Sequence, residues 1–81
     1  MVEKRNIEKK EYNKILGKRI REIRIARGLK QQEVADLLGL ETYATVMQYE
    51  AGKISIPSVN IKRFSEKLNI PLEELLPETV A

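Results

Sequence analysis

The sequence predicts an all-α domain of five short helices, and three observations predict it. Apolar residues recur at helical spacing in five successive segments. Residues that end helices punctuate those segments: Gly28, Gly39, Gly52, Asn69 and Pro77. No alternating run marks a strand, and no internal repeat or low-complexity tract competes. A chain of 81 residues has room for one domain, near the size where a single core just suffices. Its 42% hydrophobic content is enough to build that core.

Residues 1–12 are almost wholly polar apart from Val2 and Ile7, and are expected to form a flexible basic arm or a frayed helical extension ahead of a domain spanning 13–77. From Asn13 the pattern becomes amphipathic, with Leu16, Ile20 and Ile23 on one side and Lys14, Lys18 and Arg21 on the other. Gly28 ends this first helix, and Arg24 and Arg27 lie in its last turn, where cations complement the helix dipole. A second helix runs from about Lys30 to Leu38, turns Val34, Ala35 and Leu38 inward, and stops at Gly39. Thr42 is placed to cap a third helix that reaches about Ala51, with Val46 and Tyr49 inward and Gly52 as its stop.

Residues 53–57 read as a loop, because the residue before proline is pushed out of the α region. Pro57 or Ser58 opens a fourth helix that buries Ile61, Phe64, Ser65 and Leu68 and ends at Asn69. The last helix starts at Pro71, where the missing N–H costs nothing, presents Leu72, Leu75 and Leu76, and is stopped by Pro77. Residues 78–81 form a short tail.

The inventory excludes much chemistry. Cysteine and histidine are both absent, so disulfides, thiolate or imidazole metal sites, and Ser-His or Cys-His nucleophiles are excluded. No glycine-rich phosphate loop or ligand-spaced cluster organises the carboxylates, so neither an enzyme nor a cofactor is expected. No apolar run approaches the roughly 20 residues that span a bilayer, and the N-terminus is too charged for a secretion signal, so a cytoplasmic location is expected. Charge is unevenly spread: residues 1–30 hold eleven Lys or Arg against four Glu, whereas residues 31–50 hold no base and four acids. A basic region with a pI near 9.3 suits phosphate attraction, although a solvated lysine-rich helix face has the same composition.

The second and third helices are the most specific part of the chain. Leu29-Lys30-Gln31-Gln32-Glu33-Val34-Ala35-Asp36-Leu37-Leu38-Gly39, followed by Val46, Tyr49, Glu50, Gly52 and Lys53, resembles the Cro and phage-repressor type of helix-turn-helix domain, the XRE family. The resemblance continues through Pro57 and Leu68-Asn69-Ile70-Pro71-Leu72-Glu73-Glu74-Leu75-Leu76, and so covers residues 16–76. It implies the five-helix lambda-repressor-like fold, a bacterial or phage source, and the third helix in the major groove of double-stranded DNA.

Each matching residue also has a physical reason. Ala35 is small where the second helix crosses the third, and Gly39 takes a turn conformation that a β-carbon opposes. With Val46 and Tyr49 inward, Tyr43, Ala44, Met47 and Gln48 face out. Between Gly39 and Val46 the chain has one residue more than the family pattern. The alternative register buries Thr45 and Gln48, and a buried glutamine amide needs partners that a leucine-rich core does not offer. The extra residue is therefore placed in the turn, near Leu40-Glu41-Thr42.

The resemblance also implies roles. Thr42, Tyr43, Ala44 and Gln48 fall at base-contacting positions, with the Ala44 methyl against a thymine methyl and Gln48 facing adenine. Gln31 and Gln32 at the second helix start, Lys53, Ser58 at the fourth helix start, and Lys18 and Arg19 on the first helix are the expected phosphate contacts. The blander readings are an exposed helix-start glutamine, a surface tyrosine over the turn, and an ordinary loop lysine. Arg24 and Glu50 match a structural salt bridge, expected to be partly exposed and to contribute about 0 to 1 kcal/mol.

The third helix carries no Lys or Arg, so affinity must come from Lys53, the first helix including Lys14, and the arm with Lys4, Arg5, Lys9 and Lys10. So few contacts per subunit favour a homodimer on a palindromic operator with half-sites roughly one helical turn apart. Leu72, Leu75, Leu76 and Val80 are candidates for its interface, or else they cap the core. The expected function is sequence-specific DNA binding as a transcriptional regulator, a repressor in the first instance. No effector, oligomerisation or catalytic segment follows Leu76, which fits either a minimal regulator or a domain cut from a longer chain. The alternative is an antitoxin-like or bridging module whose partner is a protein.

Overall fold

A computed structural model describes residues 8–77 and places five helices in the order α1 (Lys9–Ala26), α2 (Gln31–Leu38), α3 (Tyr43–Glu50), α4 (Ser58–Leu68) and α5 (Leu72–Leu75). The expected all-α, five-helix, lambda-repressor-like architecture is what the chain adopts. The core is contributed by Leu16 and Ile20 of α1, Val34, Ala35 and Leu38 of α2, Val46 and Tyr49 of α3, Ile61 and Phe64 of α4, and Leu75 of α5. Ile56 and Ile70, from the connections, complete it.

The first boundary differs from expectation. α1 starts at Lys9, four residues before Asn13, so of the two expectations for this stretch residues 9–12 take the helical extension and not the flexible arm. Tyr12 is the reason: it packs on the core one turn before Leu16 and extends the apolar stripe toward the N-terminus. The rest of the arm, with Lys4 and Arg5, and the tail 78–81 with Val80 lie outside the described residues.

Four of the helices end alike. Gly28, Gly39, Gly52 and Asn69 take left-handed backbone angles, with φ of 69°, 72°, 70° and 55°. After each, the chain folds back to bond the last turn, as in Leu40 N–H to the Ala35 carbonyl at 2.8 Å and Ile70 N–H to the Ser65 carbonyl at 2.8 Å. Asparagine serves at position 69 because it tolerates this conformation best among residues with a β-carbon. At the start of α2, Glu33 accepts the Lys30 backbone N–H at 2.8 Å, but lysine has no acceptor to return, so half a capping box forms.

α1 crosses α3 at very short range. A β-carbon on Gly17 would collide with the Tyr49 carbonyl oxygen and lie 3.0 Å from that of Glu50. On the other side of the crossing, a β-carbon on Gly52 would lie 2.7 Å from the Lys14 Cα. The two glycines let the helix backbones approach directly, which fixes the C-terminal end of α3 against α1.

α4 buries more polarity than its apolar spacing implied. Asn60 is buried and donates to the Tyr49 hydroxyl at 3.0 Å, while Ser65 donates to the Ile70 carbonyl. Both bonds satisfy groups that would otherwise be costly to bury. Leu75 is fully buried, so it is a core residue and not part of a dimer surface; Leu76 is half-buried, and only Leu72 of these leucines is exposed.

Candidate nucleic-acid interface

α2 and α3 are joined by a tight turn through Gly39, Leu40, Glu41 and Thr42. Leu40 folds in against the core, while Glu41 and Thr42 stay in solvent. α3 then turns Val46 and Tyr49 inward and leaves Thr42, Tyr43, Ala44, Met47 and Gln48 exposed, the register in which no glutamine is buried. Tyr43 is 50% and Met47 48% exposed, so the ridge along this helix is largely apolar.

Thr42 stands at the N-cap position of α3, but its hydroxyl makes no capping hydrogen bond. The cap comes from the preceding helix: the Gln32 side-chain carbonyl accepts the Tyr43 backbone N–H at 3.2 Å, and its amide donates to Asp36 at 3.0 Å. Gln32 therefore holds the end of α3. Gln31 lies nearby, and its amide donates to Glu50 at 3.1 Å.

That carboxylate is the centre of a network. Arg24 meets Glu50 with two nitrogens, Nε at 2.6 Å and Nη2 at 3.1 Å, and its Nη1 donates to the Leu29 carbonyl at 2.9 Å. The pair is more enclosed than the sequence implied, with side chains only 13% and 5% exposed, because α1, α2 and α3 converge around it. Arg21, Arg24, Gln31, Met47, Glu50 and Ala51 line a cleft at this junction, so the network adjoins the exposed ridge of α3.

Cations flank the ridge rather than occupy it. Lys9, Lys10, Lys14 and Lys53 line one open groove between α1 and the loop after α3, and Asn13 bridges its walls by donating to the Ser55 hydroxyl at 3.2 Å. Lys18 is exposed on α1, one turn beyond Lys14. Arg19 points elsewhere: its guanidinium donates to the carbonyls of Leu76 at 2.8 Å and Leu75 at 3.3 Å and ties α5 to α1. Ser58 does not join Lys53 either, lining instead a hollow with Tyr12, Ile61, Lys62, Leu72 and Leu76.

Arg21 is a further cation beside α3 that was not among the expected phosphate contacts. It is exposed beside Met47, seven positions from Lys14 and therefore on the same helix face, a spacing that was visible in the sequence.

The profile of the HTH_3 helix-turn-helix family matches residues 20–75. The chain belongs to that family, the XRE or Cro/C1 type. Among solved structures, this HTH_3 chain is similar to the restriction-modification controller protein C.AhdI from Aeromonas hydrophila, at 36% identity over 78% of this chain and 94% of that one, with a TM-score of 0.71. The S. venezulae BldD DNA-binding domain is 29% identical over 83% of this chain and 99% of that one, with a TM-score of 0.70. The P22 c2 repressor, solved in complex with a synthetic operator, shares the fold at 22% identity and a TM-score of 0.69, over 76% of this chain and 92% of that one. A search of curated proteins finds no match. The family is one of DNA-binding regulators, and no helix among the described residues is long and apolar enough to cross a membrane.

Proposed function

We propose that this HTH_3 chain binds double-stranded DNA in a sequence-specific manner, with α3 in the major groove, and acts as a transcriptional repressor. The observation that carries this reading is the exposed, uncharged ridge of α3 bordered along α1 and the loop after α3 by cations, the Lys9-Lys10-Lys14-Lys53 groove and Arg21. Such a surface separates reading from attraction: base edges meet Thr42, Tyr43, Ala44 and Gln48, while the phosphates alongside meet the lysines and Arg21. Lys18 extends the α1 flank, and the backbone N–H groups at Ser58 offer a further phosphate position at the start of α4. Gln31, Gln32 and Arg19 act through the fold, since their side chains are engaged with Glu50, Tyr43 and α5.

The likeness to a restriction-modification controller supports a regulatory role, and the small number of flanking cations supports a homodimer on a palindromic operator. Selection of bound duplexes from a random pool, followed by titration across salt, tests the reading. A single enriched motif in inverted repeat is expected, with the logarithm of affinity falling by about 0.9 per phosphate contact against the logarithm of salt. Absence of any enriched sequence would overturn it.

The same exposed Tyr43 and Met47 favour one second reading, a protein-interaction module whose partner covers α3. Recovery of a stoichiometric protein partner with no enriched DNA would select it.

A further inference from the structure

We infer that the α3 face reads A·T base pairs through thymine methyl groups, with Tyr43, Ala44 and Met47 as the methyl contacts and Gln48 as the adenine reader. This rests on the DNA-binding reading and adds to it the base composition of the target.

The first support is a missing reader. Guanine is recognised most strongly by an Arg or Lys bidentate to its O6 and N7, and residues 43–50 contain neither. The nearby cations, Lys53, Lys14 and Arg21, lie on α1 and in the loop after α3, outside the helix whose exposed face is proposed to read the bases. Arg24 is already held by Glu50 and the Leu29 carbonyl. A carboxylate is the side chain that accepts from cytosine N4 in the major groove, and here the carboxylate of α3, Glu50, is occupied by Arg24 and Gln31, while Glu41 lies in the turn ahead of the helix.

The second support is what the face does present. Tyr43 and Met47 lie four residues apart on one side of α3, each about half exposed, with Ala44 exposed beside them. In the major groove only thymine offers an apolar group, its C5 methyl, and burial of a methyl against apolar side chains is favourable. Gln48, next to Met47 and exposed, carries the amide that pairs bidentately with adenine N6 and N7. The apolar surface of Tyr43, Ala44 and Met47 beside the Gln48 amide is therefore matched to thymine and adenine, and it lacks the Arg or Lys that reads guanine most strongly.

The test uses the selected duplex with deoxyuridine in place of thymidine, one position at a time, which removes the methyl and keeps every hydrogen-bonding group. Affinity should fall about fourfold at each contacted thymine. Met47→Ala should abolish the thymine-uracil difference at one position and leave it elsewhere; as an exposed residue, Met47 can be truncated without opening the core. Lys53→Ala should weaken thymine and uracil duplexes by the same factor. Equal binding of thymine and uracil duplexes, or selected half-sites with G·C pairs under α3, would overturn this inference while the DNA-binding reading stands. A random pool that yields no enriched sequence would overturn both.

Discussion

The Gln32 side-chain carbonyl on α2 accepts the backbone N–H of Tyr43, the first residue of α3, at 3.2 Å. This cap ties the two halves of the motif at the end of α3 where the proposed base-contacting positions begin. Gln32→Ala should cost about 1 kcal/mol in denaturant unfolding. Gln32→Glu keeps the acceptor for the Tyr43 N–H but replaces the donor to Asp36 with a second carboxylate, so it should recover only part of the lost stability, while added negative charge facing the phosphates should weaken DNA binding. Unfolding midpoints and fluorescence anisotropy on the same two variants separate these effects.

The Arg24–Glu50 pair predicts a larger loss. Removal of Glu50 leaves a mostly enclosed guanidinium without its carboxylate and takes a partner from Gln31. Glu50→Ala should destabilise the fold by about 3 kcal/mol, a large share of what a small domain has. The double substitution Arg24→Met with Glu50→Leu should recover most of it, because the cost lies in an unpaired buried charge rather than in the lost attraction. Urea unfolding of the single and double variants checks the pattern.

Gly17→Ala reverses an ordinary expectation. In a helix interior this change stabilises by about 1 kcal/mol. Here the new methyl meets the Tyr49 and Glu50 carbonyl oxygens, which are backbone and cannot rotate away. The expected outcome is destabilisation by about 2 kcal/mol, read as a lowered thermal midpoint. A rise in the midpoint would contradict the close α1–α3 crossing.

Two sets of cations should behave differently in salt titrations. Lys14→Ala and Lys53→Ala should each reduce the salt slope of DNA binding by about 0.9 and leave stability nearly unchanged. Arg19→Ala should leave the slope unchanged and lower stability by about 1 kcal/mol, since its guanidinium holds the Leu75 and Leu76 carbonyls.

The fold was legible where local chemistry decides it. Helix ends at Gly28, Gly39, Gly52 and Asn69 follow from backbone preference alone, and the register of α3 follows from the cost of burying Gln48. Contacts between distant segments left no such mark. Nothing near Gln32 announces that it caps another helix eleven residues on, and Arg19 reads like any exposed cation until α5 is packed beside it. The start of α1 was misplaced because Tyr12 stands alone among polar residues, and its apolar role depends on the core that α1 meets. Ile56 was passed over in the same way, as an apolar residue in a loop that turns out to be pinned inward.

Gly17 and Gly52 clamp α3 at its far end, and Gln32 holds its near end. The exposed side chains between those anchors, at positions 43, 44, 47 and 48, take no part in the core. With α3 proposed to read DNA, architecture and address are thus assigned to different residues of one helix. Descendants of this chain can exchange the address by point substitution, acquiring new targets without passing through an unfolded ancestor.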